Sequence, residues 1–405
     1  MNIGNGLRAD CLTEEPAAQN GLPGQRGLHI FVLIDALGWE FVKNREFLND
    51  VLTYRTPLRT VLGFSSGAIP TILTGLPPAR TGHWNLFYYD PQTSPFRWLK
   101  YFNFLPDRLL DSRVARKIVK ELGKRVLGMG PLFECFVSPR LMPWFNWIEK
   151  HDIYSPGGIT GARSIFDELV ETHTGFRVYT YRDWKDNEIL AKARQDISAR
   201  EASVFFLYLS EIDHFLHFHC DEPHSVDEIL ARYADQLRAL YQLAQNVNPS
   251  ASMTIFSDHG MAPVRNRYPL ISEIEALGLR SPDDYLSVYD STMARFWLFS
   301  ARAKEAITAA LDRIPCGKIL SRSELAALGL DFPDNRYGDL IFLLNPGWLI
   351  SNNNFSSGGW HPLGMHGYHP DDPSSDAIFL SSRDPGRPMH SIADVHASLR
   401  EAVEC

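Results

Sequence analysis

The chain has 405 residues, of which 44% are hydrophobic and 22% are charged, and its formal net charge is −8. This composition excludes an intrinsically disordered protein, a collagen-like fibre and a small disulfide-stabilised protein. The acidic balance argues against a dedicated nucleic-acid-binding protein, so we expect no nucleic-acid polymer as a partner. The length predicts one large domain with insertions, or two domains.

The cysteines and the start of the chain carry no targeting or cross-linking signal. The five cysteines include no CxxC pair, so we expect neither a disulfide framework nor a structural zinc knuckle. Residues 1–27 are polar, lack the apolar core of a secretory signal and are interpreted as a flexible N-terminal arm. No apolar stretch reaches the roughly 18 residues of a transmembrane helix. We therefore predict a cytoplasmic protein.

Apolar runs separated by helical patterns predict an α/β fold. The run 28–35 (LHIFVLID) is continuously apolar, which is typical of a strand buried on both faces of a parallel sheet. Helical stretches such as 226–247 fall between runs of this kind. The other candidate strands are 176–183, 202–213, 251–260, 338–345 and 376–382. This alternation predicts a mostly parallel central sheet flanked by helices.

Two segments interrupt the alternation within a single catalytic α/β domain at 28–405. Residues 86–165 mix aromatic with basic side chains, and we interpret them as a helical insertion that forms a lid over the carboxyl edge of the sheet. A second insertion is expected at about 264–337, where helical patterns interrupt the strands. Aromatic residues of the first insertion can stack on a base or cover an apolar chain, but the insertion's own core is the better explanation for most of them. These residues are Trp98, Tyr101, Phe102 and Phe104.

Three of the predicted buried strands end on a carboxylate, at Asp35, Asp213 and Asp258. His217 follows Asp213 by four positions, and His259 directly follows Asp258. The carboxyl ends of parallel strands border the crevice that holds the ligand. Three carboxylates there would repel one another unless cations separated them. Aspartate together with histidine favours zinc or manganese over calcium.

A simpler explanation exists for each of these residues taken alone. A single aspartate at a strand end is most often a helix N-cap, and this is the interpretation we favour for Asp35 by itself. Asp213 and His217 can form an exposed i,i+4 pair at the start of a helix. Three such strand ends in one chain make independent caps an unfavourable interpretation.

A serine pair, Ser65 and Ser66, opens the next predicted helix, which stops at Gly75. The positive end of a helix stabilises an alkoxide, and its unpaired backbone N–H groups can bind a phosphoryl oxygen. A metal bound to the serine oxygen would supply the deprotonation that serine alone cannot achieve near neutral pH. The simpler alternative is an N-cap serine.

A histidine in the loop before the last predicted strand is the final candidate. His366 lies between small or flexible residues that permit a tight backbone, and His361 and His369 compete for the same role. A lone histidine in such a loop is usually exposed to solvent.

Taken in order, these motifs resemble the alkaline phosphatase superfamily, in its nucleotide pyrophosphatase/type I phosphodiesterase branch. The resemblance covers residues 28–91, 202–262 and 360–382 and leaves the insertions unmatched. It implies two divalent metal ions, zinc with manganese as the alternative. The ligands that it implies are Asp213, His217 and His366 for one ion, and Asp35, Asp258, His259 and Ser65 for the other.

The resemblance also implies roles in phosphate chemistry. Ser65 would be the nucleophile, since it lies nine residues before Thr74 of a TGLPP motif, and Ser66 is the alternate. Asn85 would bind a phosphate oxygen, although it lies one residue away from the position that the family motif requires. Serine replaces the more usual threonine, and the formylglycine pattern of sulfatases is absent around Ser65.

The activity implied by the resemblance is metal-dependent hydrolysis of a phosphodiester or pyrophosphate bond through a phospho-seryl intermediate. The substrate would be a small phosphorylated molecule, such as a nucleotide, sugar or lipid diester. Phosphonate hydrolysis, phosphotransfer and a catalytically silent metal-binding protein are the alternatives on the same scaffold. The sequence leaves the oligomeric state open.

Overall fold

A computed structural model describes residues 27–127, 137–351, 353–354 and 362–404. Nearly all of the predicted N-terminal arm lies outside the described residues, as does the competing His361. The strands are β1 (His29–Ile34), β2 (Tyr54–Leu58), β3 (Phe87–Tyr89), β4 (Phe145–Trp147), β5 (Phe176–Tyr179), β6 (Val204–Leu209), β7 (Ser252–Phe256), β8 (Ala262–Pro263), β9 (Asn266–Tyr268), β10 (Tyr285–Asp290), β11 (Met293–Leu298), β12 (Gly317–Ile319), β13 (Leu340–Leu344), β14 (Trp348–Ile350), β15 (Gly364–Met365) and β16 (Ala377–Ser381). The α-helices are α1 (Trp39–Val42), α2 (Ser65–Thr74), α3 (Pro78–Thr81), α4 (Asp107–Leu110), α5 (Arg113–Val126), α6 (Ile165–Glu171), α7 (Asp186–Ser198), α8 (Glu211–His219), α9 (Pro223–Val247), α10 (Leu270–Glu275), α11 (Ala301–Leu311), α12 (Arg322–Ala327) and α13 (Val395–Glu404).

Six strands form the central sheet in the order β2-β16-β7-β1-β6-β5. β1 pairs in parallel with β6 and β7, and β5 pairs in parallel with β6, whereas β16 runs antiparallel to both of its neighbours. Every residue of β1, β6 and β7 is buried, which accounts for their continuously apolar sequences. The predicted fold class, an α/β fold with a mostly parallel central sheet flanked by helices, is confirmed.

Helices cover both faces of this sheet. Each buried strand has apolar side chains on both faces, because successive side chains of a strand point to opposite faces. Val32 of β1 belongs to the hydrophobic cluster that contains α7, α8 and α9. Its neighbour Leu33 belongs to the cluster on the other face, which contains α2, α6 and α13. None of the helices formed by the described residues combines the length and the apolar character needed to cross a membrane. The cytoplasmic location stays a prediction.

The run 338–345 is a strand, but its assignment to the parallel sheet was wrong. It forms β13 in a second, antiparallel sheet of order β10-β11-β13-β12. Phe342 packs into one hydrophobic cluster and Leu343 into another, so both faces of β13 are buried. An antiparallel strand buried on both faces has the same apolar sequence as a parallel one. The segment 264–337 therefore contains strands β9 to β12 as well as helices α10 to α12.

The segment 86–165 has a core, but the aromatic residues singled out from the sequence do not form it. Its core includes Phe96, Leu99 and Trp147, and Trp98 packs at its margin. The other three aromatic residues are exposed, which corrects the expectation that most of the four are core residues. Their exposed fractions are 82% for Tyr101, 41% for Phe102 and 79% for Phe104.

A buried ion pair connects the second sheet with the start of this segment. The fully buried Arg295 of β11 donates from Nε to Asp290 Oδ2 at 2.7 Å. It also donates from Nη1 to the carbonyl oxygen of Phe87, in β3, at 2.9 Å. Arg295 therefore holds β3, which follows the candidate Asn85, against the second sheet.

Replacing Arg295 by methionine should strongly destabilise the protein. The substitution leaves the Asp290 carboxylate buried without its counter-charge, which costs about 3–5 kcal/mol. Urea denaturation followed by circular dichroism measures the free energy of unfolding. The double variant Arg295→Met/Asp290→Asn should regain part of the loss, and equal losses in the single and double variants would contradict this explanation.

Candidate active site

The sheet places three carboxylates at one edge. β1 lies between β6 and β7 in the sheet, and all three strands point the same way. Asp35 directly follows β1, Asp258 lies two residues beyond β7, and Asp213 lies in the first turn of α8, just after β6. Asp35 and Asp258 are buried, and Asp213 is half-buried.

Three oxygen atoms at this edge lie close to Nε2 of His259. Nε2 lies 3.2 Å from Ser65 Oγ, 3.2 Å from Asp258 Oδ2 and 3.6 Å from Asp35 Oδ1. Donor atoms on a tetrahedron around zinc, with bonds of about 2.0–2.1 Å, lie about 3.3 Å apart. These three spacings are therefore compatible with ligands of one metal ion.

A second group of donor atoms is centred on Asp213. Its Oδ1 lies 3.5 Å from His217 Nε2 and 3.7 Å from His366 Nε2. Asp213 also belongs, with Asp35 and His259, to a set whose ligand atoms all lie within 4.8 Å of one another. Asp213 is therefore the residue that joins the two groups.

The carboxylate oxygens that face these groups lack hydrogen-bond partners. Asp35 Oδ1, Asp213 Oδ1 and Asp258 Oδ2 are buried and have none among the described residues. A buried carboxylate oxygen without a partner is costly unless a cation satisfies it. The residues present thus fit divalent metal ions.

Backbone carbonyls orient two of the histidine rings. His217 Nδ1 donates to the carbonyl oxygen of Gly364 at 2.8 Å, and His259 Nδ1 donates to that of Gly260 at 3.0 Å. With Nδ1 protonated, Nε2 of each ring presents its lone pair to the carboxylates, as in metal-binding histidines. The ring of His366 stacks on that of His259, with centroids 3.8 Å apart.

The pKa values of the site residues are shifted by burial and by neighbouring charged groups. Burial raises the pKa of Asp35 well above its usual value, and the charges of Asp258 and Asp213 raise it further. Burial acts in the same direction on Asp213, but the neighbouring His217 holds the pKa of Asp213 below its usual value. Burial, followed by the proximity of His259, lowers the pKa of His366 well below its usual value. Neutral imidazole is the form that binds metals.

Helix α2 begins at Ser65 and ends before Gly75, as predicted. The Ser66 hydroxyl donates to the carbonyl oxygen of Trp84 at 2.8 Å, whereas the Ser65 hydroxyl faces His259. The first hydrogen bonds of α2 run from Gly67 and Ala68 to the carbonyl oxygen of Phe64. The N–H groups that precede them lie at the positive end of the helix, beside the Ser65 hydroxyl.

Asn85 is buried next to this helix start. Its neighbour Trp84 accepts the Ser66 hydrogen bond, which brings the backbone at 84–85 alongside the first turn of α2. The Asn85 amide nitrogen lies 3.9 Å from Met293 Sδ, a weak acceptor. Phosphate binding by Asn85 stays a prediction.

Two positioning residues were not predicted from the sequence. The Tyr208 hydroxyl, near the end of β6, donates to Asp35 Oδ2 and leaves Oδ1 facing His259. The Thr60 hydroxyl donates to the backbone carbonyl oxygen of Asp258 at 2.6 Å. The signal for Tyr208 in the sequence was a tyrosine inside the otherwise apolar run 204–209. The sequence does not show which strand lies beside β6.

Tight backbone contacts fix the loops that carry the ligands. Ala36 adopts a left-handed conformation with φ of 59° and donates from its N–H to Asp258 Oδ1 at 3.2 Å. A Cβ on Gly38 would lie 2.6 Å from the Cα of Gly260. Only glycine permits this approach, which brings the loop after β1 against the loop after β7.

A comparison with family models identifies the family of the chain. The model of the type I phosphodiesterase/nucleotide pyrophosphatase family matches residues 30–369, most of the chain. The chain belongs to this family. It is a metal-dependent hydrolase of the phosphodiesterase/nucleotide pyrophosphatase type. No curated protein sequence matches the chain.

Solved structures share the fold of this phosphodiesterase-family chain. Human ectonucleotide pyrophosphatase/phosphodiesterase 5 is 14% identical, with a TM-score of 0.66, over 94% of this chain and 95% of its own. An inactive variant of the murine protein in complex with AMP is 14% identical, with a TM-score of 0.64 over the same shares. The murine protein in a further structure is 16% identical, with a TM-score of 0.64 and the same coverage. The α/β architecture is therefore shared nearly from end to end.

Adding Zn²⁺ or Mn²⁺ to the metal-stripped phosphodiesterase-family chain should raise its melting temperature. A ligand that binds only the folded state stabilises it by about 2.7 kcal/mol at a free concentration of about a hundred times its Kd. Differential scanning calorimetry measures the shift. Asp213→Asn should reduce the shift, because Asp213 Oδ1 lies next to Nε2 of both His217 and His366.

Asp235→Asn is the matched control, since Asp235 is an exposed carboxylate of α9 paired with Arg238. It should respond to the metal ions as the unchanged chain does. The metal-site interpretation would be contradicted if neither ion changed the melting temperature. It would also be contradicted if the Asp213→Asn variant showed the same shift as the unchanged chain.

Proposed function

We propose that the chain is a two-metal phosphodiesterase in which Ser65 is the nucleophile and residues 28–405 act as one catalytic domain. The observation that carries the proposal is the position of the Ser65 hydroxyl. It lies 3.2 Å from His259 Nε2, at the first turn of α2, near carboxylate oxygens that have no hydrogen-bond partner in the described part of the chain.

The proposed ligands divide into two sets that share one sheet edge. Two divalent ions would neutralise the carboxylates, lower the pKa of the serine hydroxyl and stabilise charge on the phosphoryl oxygens. The donor spacings around His259 favour zinc. One proposed set is Asp213, His217 and His366, and the other is Asp35, Asp258, His259 and Ser65.

In the proposed reaction the Ser65 oxygen attacks phosphorus in line with the leaving group. The Ser65 hydroxyl gives its proton to solvent, and the Oγ–P bond forms as the bond from phosphorus to the leaving oxygen breaks. The leaving group departs with the electron pair and takes a proton from water. Water then hydrolyses the phosphoserine and restores the hydroxyl. The N–H group of Ser66 at the start of α2, and the amide of Asn85, would bind a non-bridging oxygen.

The proposed substrate is a small phosphodiester or pyrophosphate, such as a nucleotide, sugar or lipid diester. The family match supports this class, and the AMP bound to the inactive murine relative is a nucleotide. A diester needs room for a second substituent on phosphorus. The exposed aromatic side chains that follow Asn85 in the chain are candidates to contact that substituent, namely Tyr101, Phe102 and Phe104.

A substrate screen tests the proposed reaction. Aryl phosphodiesters and dinucleoside pyrophosphates should be cleaved faster than aryl phosphomonoesters, aryl sulfates should not be cleaved, and a chelator should abolish turnover. Release of the aryl alcohol is measured with zinc or manganese added. A strong preference for monoesters would contradict the proposal, and transfer of the phosphoryl group to an added alcohol would indicate a transferase.

Ser65→Ala should reduce kcat by at least about a thousandfold, the scale seen when a catalytic nucleophile is removed. Ser66→Ala is the matched control, because the Ser66 hydroxyl is engaged with the Trp84 carbonyl instead of facing His259. It should retain activity within about tenfold. The opposite ranking would assign the nucleophile to Ser66, and full activity in both variants would remove the serine pair from the mechanism.

A further inference from the structure

The hydroxyl of Ser257 is buried where three segments of the chain meet. Ser257 directly follows β7 and precedes the candidate ligand Asp258, and it has no exposed surface. Its hydroxyl accepts a hydrogen bond from the N–H group of Ile378, in β16, at 2.9 Å. It donates to the carbonyl oxygen of Leu37 at 2.8 Å. Leu37 lies two residues after Asp35, so one hydroxyl joins the loop after β1, the end of β7 and β16.

These two hydrogen bonds use the hydroxyl in both of its roles. Because the N–H group of Ile378 donates to it, its single proton is directed to the Leu37 carbonyl oxygen. Leu37 and Ile378 are themselves fully buried, and a buried backbone group that lacks a partner is costly. The Ser257 hydroxyl thus satisfies one buried backbone donor and one buried backbone acceptor at once.

The same hydroxyl takes the place of a backbone carbonyl in the pairing of β7 with β16. The register pairs Phe256 with Phe379, and its continuation brings Ser257 opposite Ile378. The N–H group of Ser257 donates to the Ile378 carbonyl oxygen at 3.2 Å, as in an antiparallel ladder. The return bond, which an ideal ladder makes to the carbonyl oxygen, runs from the Ile378 N–H group to the Ser257 hydroxyl. The backbone therefore leaves the regular ladder one residue before Asp258.

The backbone of Asp258 is held from several directions where it leaves the ladder. The Thr60 hydroxyl donates to the Asp258 carbonyl oxygen at 2.6 Å, and the Ala36 N–H group donates to Asp258 Oδ1 at 3.2 Å. The Ser257 hydroxyl adds a connection just before Asp258, to the loop that begins with Asp35. The spacing between these two carboxylates therefore depends on the Ser257 hydroxyl.

We propose that Ser257 is a positioning residue that sets the spacing of Asp35 and Asp258 for one metal ion. This inference rests on the proposed division of the ligands into two sets. Loss of a group that orients a metal ligand typically weakens metal binding by about 10–100-fold. The set centred on Asp213 is carried by α8 and by the loop after β15, whereas both hydrogen-bond partners of the Ser257 hydroxyl lie elsewhere. Loss of this hydroxyl should therefore weaken the binding of one ion only.

Calorimetric titration of the metal-stripped full chain with Zn²⁺ tests the proposal. The unchanged chain should bind two ions. Ser257→Ala should raise the Kd of one ion at least about tenfold and leave the Kd of the other unchanged. Unchanged Kd values for both ions, or an equal loss of affinity for both, would overturn the proposal.

Ser381→Ala is the matched control, because it removes a buried serine hydroxyl from the same pair of strands. Ser381 lies in β16, opposite Thr254 of β7, and its hydroxyl also accepts from a backbone N–H group, that of Arg383, at 3.2 Å. Both variants should be less stable in urea denaturation, since each leaves a buried hydrogen bond unmade. Only Ser257→Ala should change a Kd. The same loss of metal affinity in the control would indicate general weakening of the sheet and overturn the proposal.

Ser257→Cys provides a second variant in case the alanine variant does not fold. A thiol is a weaker donor and acceptor than a hydroxyl, so this variant should also raise the Kd of one ion. If the alanine variant does not fold, unchanged Kd values in Ser257→Cys would overturn the proposal. Failure of both variants to fold without metal would overturn it as well, because Ser257 would then be required for the fold itself.

The titration also separates this inference from the proposed function. An unchanged chain that binds no ion would overturn both. An unchanged chain that binds two ions, together with a Ser257→Ala variant that binds both with the same Kd values, would overturn the role of Ser257 alone.

Discussion

Repulsion among three carboxylates is the constraint on which the site depends. Asp35, Asp213 and Asp258 each present an oxygen at the same edge of the sheet, and none of these oxygens has a hydrogen-bond partner among the described residues. Burial raises the pKa of Asp35, and the two neighbouring charges raise it further. An arrangement of this kind costs folding free energy unless cations supply the missing charge. Metal binding would therefore stabilise the folded chain, which couples folding to the proposed chemistry.

The rest of the architecture holds these carboxylates in position. Parallel pairing of β1 with β6 and β7 brings three strand ends to one edge, and the contact between Gly38 and Gly260 fixes two of the loops that follow. Tyr208 engages one oxygen of Asp35 and so directs the other towards His259. A ligand whose second oxygen is held in this way loses less conformational freedom when an ion binds. The positions of the candidate ligands are thus set by the sheet and the residues packed beside it.

The sequence predicts those features that local pattern determines. The runs that became β1, β6 and β7 are apolar because both faces are buried, and the extent of α2 follows from its serine pair and Gly75. β2 was not predicted, because its sequence YRTPL is only partly apolar and contains a proline, which is tolerated at the edge of a sheet. β13 was assigned to the wrong sheet because burial on both faces looks alike in parallel and antiparallel sheets. The partnership of Tyr208 with Asp35 depends on strand order, which one sequence does not reveal.

Negative and positive charge are each concentrated in one part of this chain. Within the site, negative charge is concentrated where divalent cations fit, over distances of a few ångströms. Across the surface, positive charge is concentrated in residues 97–126 of a chain that is otherwise strongly acidic. Salt screens charges more than about 8–10 Å apart, so each concentration of charge acts mainly on the groups close to it.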